Sequence, residues 1–245
     1  MLENIHIVLV ETSHSGNIGS AARAMKTMGL SNLTLVAPKA VDEQSIALAA
    51  GADDIVCAAK IVPTLEQAIA DCQLVIGTSA RLRHLQNTLI EPRQCSEICQ
   101  SFHNANAQGK IAIVFGRERV GLTNDELLKC QYHLTIPANP DYSSLNLAMA
   151  VQLVCYELRV AALAQVDAQS KTLGNFTAPN LASAQEIEYF FAHTQAVFEQ
   201  LGFIQNQGVM PKLRRLYGRA NLEKNELNIL RGMLSAVEKR LHAPN

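Results

Sequence analysis

The sequence contains no tryptophan, and aromatic residues make up only 5% of it. Its core must therefore be packed with Leu, Ile, Val, Ala and Met. It also carries almost no net charge, −1 over 245 residues, which excludes a uniform polycation held to nucleic acid by bulk charge. Cysteine is sparse and scattered: Cys57, Cys72, Cys95, Cys99, Cys130 and Cys155. Only Cys95 and Cys99 stand close together, at helical i,i+4 spacing, and no His or second cysteine pair sits at ligand spacing. A structural metal and a disulfide framework are both disfavoured, and reduced thiols suit the cytoplasm. Met1–Glu11 has no basic leader and no long apolar run before its first acid, so it reads as a strand and not as a signal peptide. Nor is a membrane span expected. The most apolar helix, Leu145–Leu163, is interrupted by Asn146, Gln152, Glu157 and Arg159.

What is present is an alternation. Ile5–Val10, Leu33–Val36, Leu74–Ile76, Ile111–Phe115 and His133–Ile136 read as strands. Ile18–Met28, Ser45–Ala50, Thr64–Ala70, Thr123–Lys129 and Leu145–Leu163 read as helices between or after them. Thr123 and Glu126 have the spacing of a capping box. The alternation implies an α/β fold, a parallel sheet with helices on both faces, over residues 1–164. Residues 165–183 are polar and broken by Gly174 and Pro179, as a linker would be. Residues 184–245 then read as three short amphipathic helices, a small helical domain. Their faces are Ile187, Phe190, Phe191, Thr194, Phe198 and Leu201; then Leu213, Leu216, Tyr217 and Ala220; then Leu230, Met233, Leu234, Val237 and Leu241. Charge is concentrated here. Met210–Asn245 holds eight Lys/Arg and three acids, net +5, leaving −6 for the rest of the chain. Lys212, Arg215 and Arg219 share one helical face. A basic end of this kind suits a polyanionic partner, although a solvated helix face has the same composition.

Four loops carry the informative residues. Gly16–Arg23 follows a strand and opens a helix, as a dinucleotide-binding turn would. Asn17 replaces the first glycine of that fingerprint, however, and Leu35–Pro38 stands where its ribose-binding acid belongs, which disfavours a dinucleotide oxidoreductase. Gly77–Arg81 is a run of small residues after a strand, suited either to an adenosine pocket or to a plain turn. Phe115–Leu122 places three charges between Gly116 and Gly121 at the carboxyl end of an apolar strand, where parallel sheets bind ligands. A salt-bridged turn would look the same. Ile136–Pro140 is stiff, and Ser143 and Ser144 follow it at a helix start, as ligand contacts or as N-caps. Asn146, in the first turn of an apolar helix, needs a partner.

Taken together, Asn17-x-Gly19-x-x-Ala22-Arg23, Phe115-Gly116-x-Glu118-x-x-Gly121-Leu122 and Ile136-Pro137 with Ser144-Leu145-Asn146-Leu147 resemble the three ordered motifs of the SpoU branch of the SPOUT methyltransferases. Leu9–His14, Gly116–Asn124 and Lys212–Leu216 extend the resemblance to the tRNA 2′-O-methyltransferases of the anticodon loop within that branch. The resemblance covers nearly the whole chain except the linker. It implies a trefoil knot in the second half of the α/β domain and a homodimer. It implies S-adenosylmethionine as cofactor, contacted by Thr78, Ser79, Ala80, Gly116, Ile136, Ser143, Ser144 and Leu145. It implies methylation of cytidine or uridine at position 32 of tRNA. Arg23, Ser144, Glu118 and Asn146 are the implied catalytic group, with Arg23 of one chain near the cofactor of the other. Lys212, Arg214, Arg215 and Arg219 join Arg23 as RNA-binding candidates. Another tRNA site, ribosomal RNA, or a non-catalytic RNA-binding module are the alternatives.

Overall fold

The structure, a computed structural model, describes residues 1–79, 88–169, 180–205 and 208–242. Seven strands form one sheet: β1 (Ile5–Val10), β2 (Asn32–Val36), β3 (Lys60–Val62), β4 (Leu74–Thr78), β5 (Thr88–Ile90), β6 (Ile111–Phe115) and β7 (Tyr132–Leu134). Their order is β3-β2-β1-β6-β4-β7-β5, and every pairing is parallel. The helices between them are α1 (Ser15–Thr27), α2 (Glu43–Ala49), α3 (Asp53–Cys57), α4 (Leu65–Ile69), α5 (Pro92–Ala105) and α6 (Asn124–Leu127). After β7 comes α7 (Leu147–Gln169).

A parallel strand in mid-sheet is covered on both faces, so it is apolar throughout and its alternate residues feed two layers. From β1, Ile5, Ile7 and Leu9 enter one core while Val8 and Val10 enter the other. From β6, Ile111, Ile113 and Phe115 join the first core, and Ala112 and Val114 the second. The first core is closed by α1, α5 and α7, through Ile18, Met25, Cys95, Cys99, Val151, Val154 and Leu158. The second is closed by α4 and α6, through Leu65, Ile69 and Leu127.

The expected strands are present, and two short edge strands, β3 and β5, join them. The expected capping box forms on α6: Glu126 N–H donates to Thr123 Oγ1 at 3.2 Å, and Thr123 N–H donates to Glu126 Oε2 at 2.6 Å. The final helix of this region differs from the reading at both ends. It starts at Leu147, so Ser143 and Ser144 lie in the preceding loop and do not cap it. Asn146 does: its Oδ1 accepts the Ala148 N–H at 2.9 Å. The helix then runs to Gln169, so the first five residues of the expected linker are helical; residues 170–179 of that linker lie outside the described residues. By length and composition α7 could cross a membrane. Yet Leu147, Ala148, Val151, Val154, Cys155 and Leu158 are buried in the first core.

The last helices are α8 (Ala184–Gln200), α9 (Val209–Ala220) and α10 (Lys224–Leu241). They close on Phe190, Phe191, Val197, Leu222, Leu227 and Leu234. Of the face expected on α10, only Leu234 is buried and Leu230 partly so. Met233, Val237 and Leu241 face solvent because α10 turns Leu227, Leu230 and Leu234 inward instead. Likewise Leu201 of the α8 face is 46% exposed, lying beyond the helix end at Gln200.

A candidate active site at the carboxyl ends of β4, β6 and β7

Ligands bind parallel sheets at the carboxyl ends of the strands, where loops diverge. Here Thr78 and Ser79 leave β4, Phe115 to Gly121 leave β6, and Leu134 to Ile136 leave β7. These segments and Ser143, Ser144, Leu145, Leu147 and Ala150 line a cavity of about 240 Å³. Ser79 N–H donates to Leu134 O at 2.8 Å, which holds two of the loops side by side. Of the cofactor candidates, Thr78, Ser79, Gly116, Ile136, Ser143, Ser144 and Leu145 all line this cavity. Ala80 lies outside the described residues.

The loop after β6 is built around Gly116. A Cβ there would lie 2.2 Å from the backbone of Gly121 and Leu122, so only glycine lets the loop fold back on itself. Arg117 and Gly121 close it with a β-bridge, and Gly121 adopts φ +68°. Both readings of this loop hold at once: it is a salt-bridged turn, and it lines a cavity. The Arg117 guanidinium pairs with Glu11 on one side and with Glu126 Oε2, at 2.9 Å, on the other. These carboxylates raise the Arg117 pKa, the Glu11 hydrogen bond most.

Glu118 turns the other way, to the start of α1. His14, the N-cap of α1, contributes no side-chain cap. Glu118 supplies the missing acceptor, taking the Ser13 N–H at 3.1 Å, the Ser13 hydroxyl at 2.9 Å, the His14 N–H at 3.2 Å and Asn17 Nδ2 at 3.1 Å. A carboxylate at a helix N-terminus gains from both the unpaired N–H groups and the helix dipole. Burial pushes the Glu118 carboxyl upward, but the bonds from Asn17, the backbone and Ser13 outweigh it and hold its pKa at about 2. Asn17 continues the chain: its Oδ1 accepts Asn146 Nδ2 at 3.0 Å. Three segments far apart in sequence are thus joined by Glu118, Asn17 and Asn146.

That join brings the three sequence motifs together in the structure. Residues 4–156 match the SpoU rRNA Methylase family. The chain belongs to that family. It is accordingly an RNA methyltransferase of a kind that uses S-adenosylmethionine. Residues 185–245 match a second family, described as tRNA methyltransferase TrmJ, C-terminal domain. The chain is 67% identical over 241 residues to an "Uncharacterized tRNA/rRNA methyltransferase" of Haemophilus influenzae, covering 98% of this chain and 97% of that protein. It is 55% identical over 244 residues to the tRNA (cytidine/uridine-2′-O-)-methyltransferase TrmJ of Cronobacter sakazakii, covering 97% of each. Among solved structures, TrmJ from Z. mobilis ZM4 superimposes with a TM-score of 0.81 at 33% identity, covering 96% of this chain and 99% of that one.

Two catalytic candidates of this SpoU-family chain, Ser144 and Glu118, line the cavity; Asn146 and Arg23 do not. Glu118 is bonded to the start of α1 and not to Arg23. Arg23 is exposed on α1, six residues beyond Asn17. From the sequence, Asn17, Ser13, Arg117 and Arg119 stand only as motif or loop residues, with no individual task. The signal for Arg117 was there: a cation between glycines, with Glu11 and Glu126 unclaimed elsewhere. In the tail, Arg214 donates to Glu188 Oε2 at 2.8 Å and its guanidinium lies 4.5 Å over the Phe191 ring. It therefore fastens α9 to α8. Lys212 and Arg219 are exposed and Arg215 is half-buried.

Proposed function

We propose that this enzyme methylates the ribose 2′-hydroxyl of cytidine or uridine at position 32 of the tRNA anticodon loop. The observation that carries the reading is the Glu118–Asn17–Asn146 chain, which binds the start of α1 to the rim of the cavity. The substrate class follows the names of its TrmJ relatives.

S-adenosylmethionine supplies a methyl group on a positively charged sulfur, a good leaving group. The cavity suits it: hydroxyls of Thr78, Ser79, Ser143 and Ser144, backbone around Gly116, and apolar walls from Leu134, Ile136 and Leu145 match a nucleoside joined to an amino acid. These residues would hold it. What the protein must add is alignment of the hydroxyl with the methyl group and an outlet for its proton. Arg23 is not a base, because a guanidinium stays protonated. It acts as a cation that grips a phosphate and stabilises charge growing on the 2′-oxygen. Ser144, which is exposed, takes up that proton as it gives its own hydroxyl proton to solvent water. Glu118 and Asn146 act through position, fixing the helix that carries Arg23.

Arg23 stands outside the cavity of its own chain, so it serves the cavity of a partner in a homodimer. The face of α7 away from the core supports that assembly. Met149, Leu153, Tyr156, Val160 and Leu163 form one stripe at alternating spacings of four and three, each at least 41% exposed. A trefoil knot completes the catalytic region, 1–164. The chain beyond α7 links it to the tail, 184–245, which binds tRNA through Lys212, Arg215 and Arg219. The reaction takes place in the cytoplasm.

The test is to incubate the protein with S-adenosylmethionine and unmodified tRNA, then map 2′-O-methyl groups by nuclease digestion and mass spectrometry. One methyl at position 32 is expected. A methyl elsewhere in tRNA, or only in ribosomal RNA, would overturn the substrate assignment and keep the chemistry.

A further inference from the structure

The β6 loop sends three successive charges in three directions. Arg117 is held between Glu11 and Glu126, and Glu118 by Ser13, His14 and Asn17. Arg119 lines the same cavity, is exposed, and has no partner among the described residues. It is thus the one charged residue of the cavity wall left unpaired among them. Val120 beside it is 58% exposed, so the loop tip stands at the mouth and not at the floor.

The geometry points to Arg119 as the residue of this chain that takes a phosphate of the RNA strand next to the ribose being methylated. The inference rests on the reading of the cavity as the site of ribose methylation. Within a strand, a ribose presenting its 2′-oxygen carries a phosphate on the neighbouring 3′-carbon, so the reaction itself brings an anion to the cavity mouth. A guanidinium offers that phosphate two parallel donors. The loop is already fixed through both residues before Arg119, so little ordering is needed when RNA arrives. A cofactor carboxylate is the other oxyanion within the site. The exposed position of Arg119 at the rim favours the ligand that arrives from solvent.

The experiment compares the full-length protein with Arg119→Gln and Arg119→Lys. It measures tRNA affinity across a salt series, cofactor affinity by calorimetry, and single-turnover methylation. Arg119→Gln should weaken tRNA binding about tenfold at moderate salt, as loss of a charge-assisted hydrogen bond does. Its log K against log salt slope should flatten by about 0.7–0.9, the value of one phosphate contact. Arg119→Lys should restore the slope but only part of the affinity, because it keeps the charge and loses the fork. Cofactor affinity should stay within about twofold of wild type, which also reports that the cavity is folded. Unchanged tRNA affinity and slope in Arg119→Gln, with wild type active, would overturn the inference alone. Weakened cofactor binding with an intact salt slope would overturn it too, and assign the guanidinium to the cofactor. If wild type transferred no methyl to any RNA, the reading of the site would fall first and this inference with it.

Discussion

In the α/β region, central strands β1 and β6 are sealed on both faces: Ile5, Ile7, Val8, Leu9, Ile111, Ala112, Ile113 and Val114 have no exposed surface. In the tail, three helices close on one small cluster, and α9 contributes no fully buried residue to it. The tail meets the rest of the chain through Ala184 N–H to Cys72 O, at 2.7 Å, and Gln185 N–H to Ala70 O, at 3.1 Å, with Ala184 packed against the second core. A two-layer sheet spreads its stability over many residues, whereas a three-helix cluster depends on a few. The site loops stand on the first kind of support and the basic α9 on the second.

The sharpest way to break this comparison is to empty the tail cluster. Phe190 is 2% exposed and packs edge-on against Tyr217 at 5.0 Å. Phe190→Ala should cost about 3–5 kcal/mol, enough to unfold so small a cluster. Calorimetry should show the tail transition lost, with cofactor affinity kept and tRNA affinity strongly reduced. A single transition that takes cofactor binding with it would mean that the two regions fold as one.

Next comes a contrast inside the β6 loop. Gly116→Ala forces a methyl into the Gly121–Leu122 backbone and should cost about 1–3 kcal/mol, with loss of cofactor binding. Gly121→Ala meets no atom within 4 Å and pays only for its positive φ. That cost is about 1–2 kcal/mol, and cofactor binding should survive. Equal effects in a binding titration would refute the view that contact, and not conformation, decides this loop.

Arg214→Ala and Arg219→Ala separate the two kinds of tail arginine. Arg214 gives up a paired, half-buried contact with Glu188 and Phe191, and its loss should lower the tail melting point. It should leave the salt slope of tRNA binding alone. Arg219→Ala should do the reverse, flattening that slope by about 0.9 at most.

The smallest effect is a dependence on pH. The folded pKa of Glu118, about 2, lies below its ordinary value of 4.5. The stabilisation is therefore complete above pH 4.5 and is lost as pH falls towards 2. Glu118→Gln keeps the shape and removes the titration. The difference in thermal stability between wild type and this variant should shrink over that window, and a flat difference would show that the charge is not what the start of α1 requires.

Much of this architecture was legible in the residues. Apolar runs marked β1 and β6, and Thr123 with Glu126 marked the start of α6. The edge strands β3 and β5 were not, since each buries only one of its three residues, Val62 and Ile90, and so lacks an apolar run. Helix α5 was passed over although Pro92 opens it and Cys95, Ile98, Cys99 and Phe102 recur at helical spacing; two of the four are cysteines, which weakened the apolar signal. The cofactor candidates came from the resemblance to the SpoU methyltransferases and not from loop composition; what the fold adds is that seven of them line one cavity.

By itself the sequence determined the longer strands and most of the longer helices, and its glycines marked the loop after β6 as tightly folded. These are local matters of hydrophobic period, capping and backbone space. Only the tertiary structure decided that Glu118 reaches Ser13, His14 and Asn17, about a hundred residues earlier, that Asn146 closes the same chain of bonds, and that Arg117 and Arg214 are paired while Arg119 has no partner among the described residues. A charged side chain shows its type in the sequence. Its partner is set by the strand order, which brings β1 and β6 side by side.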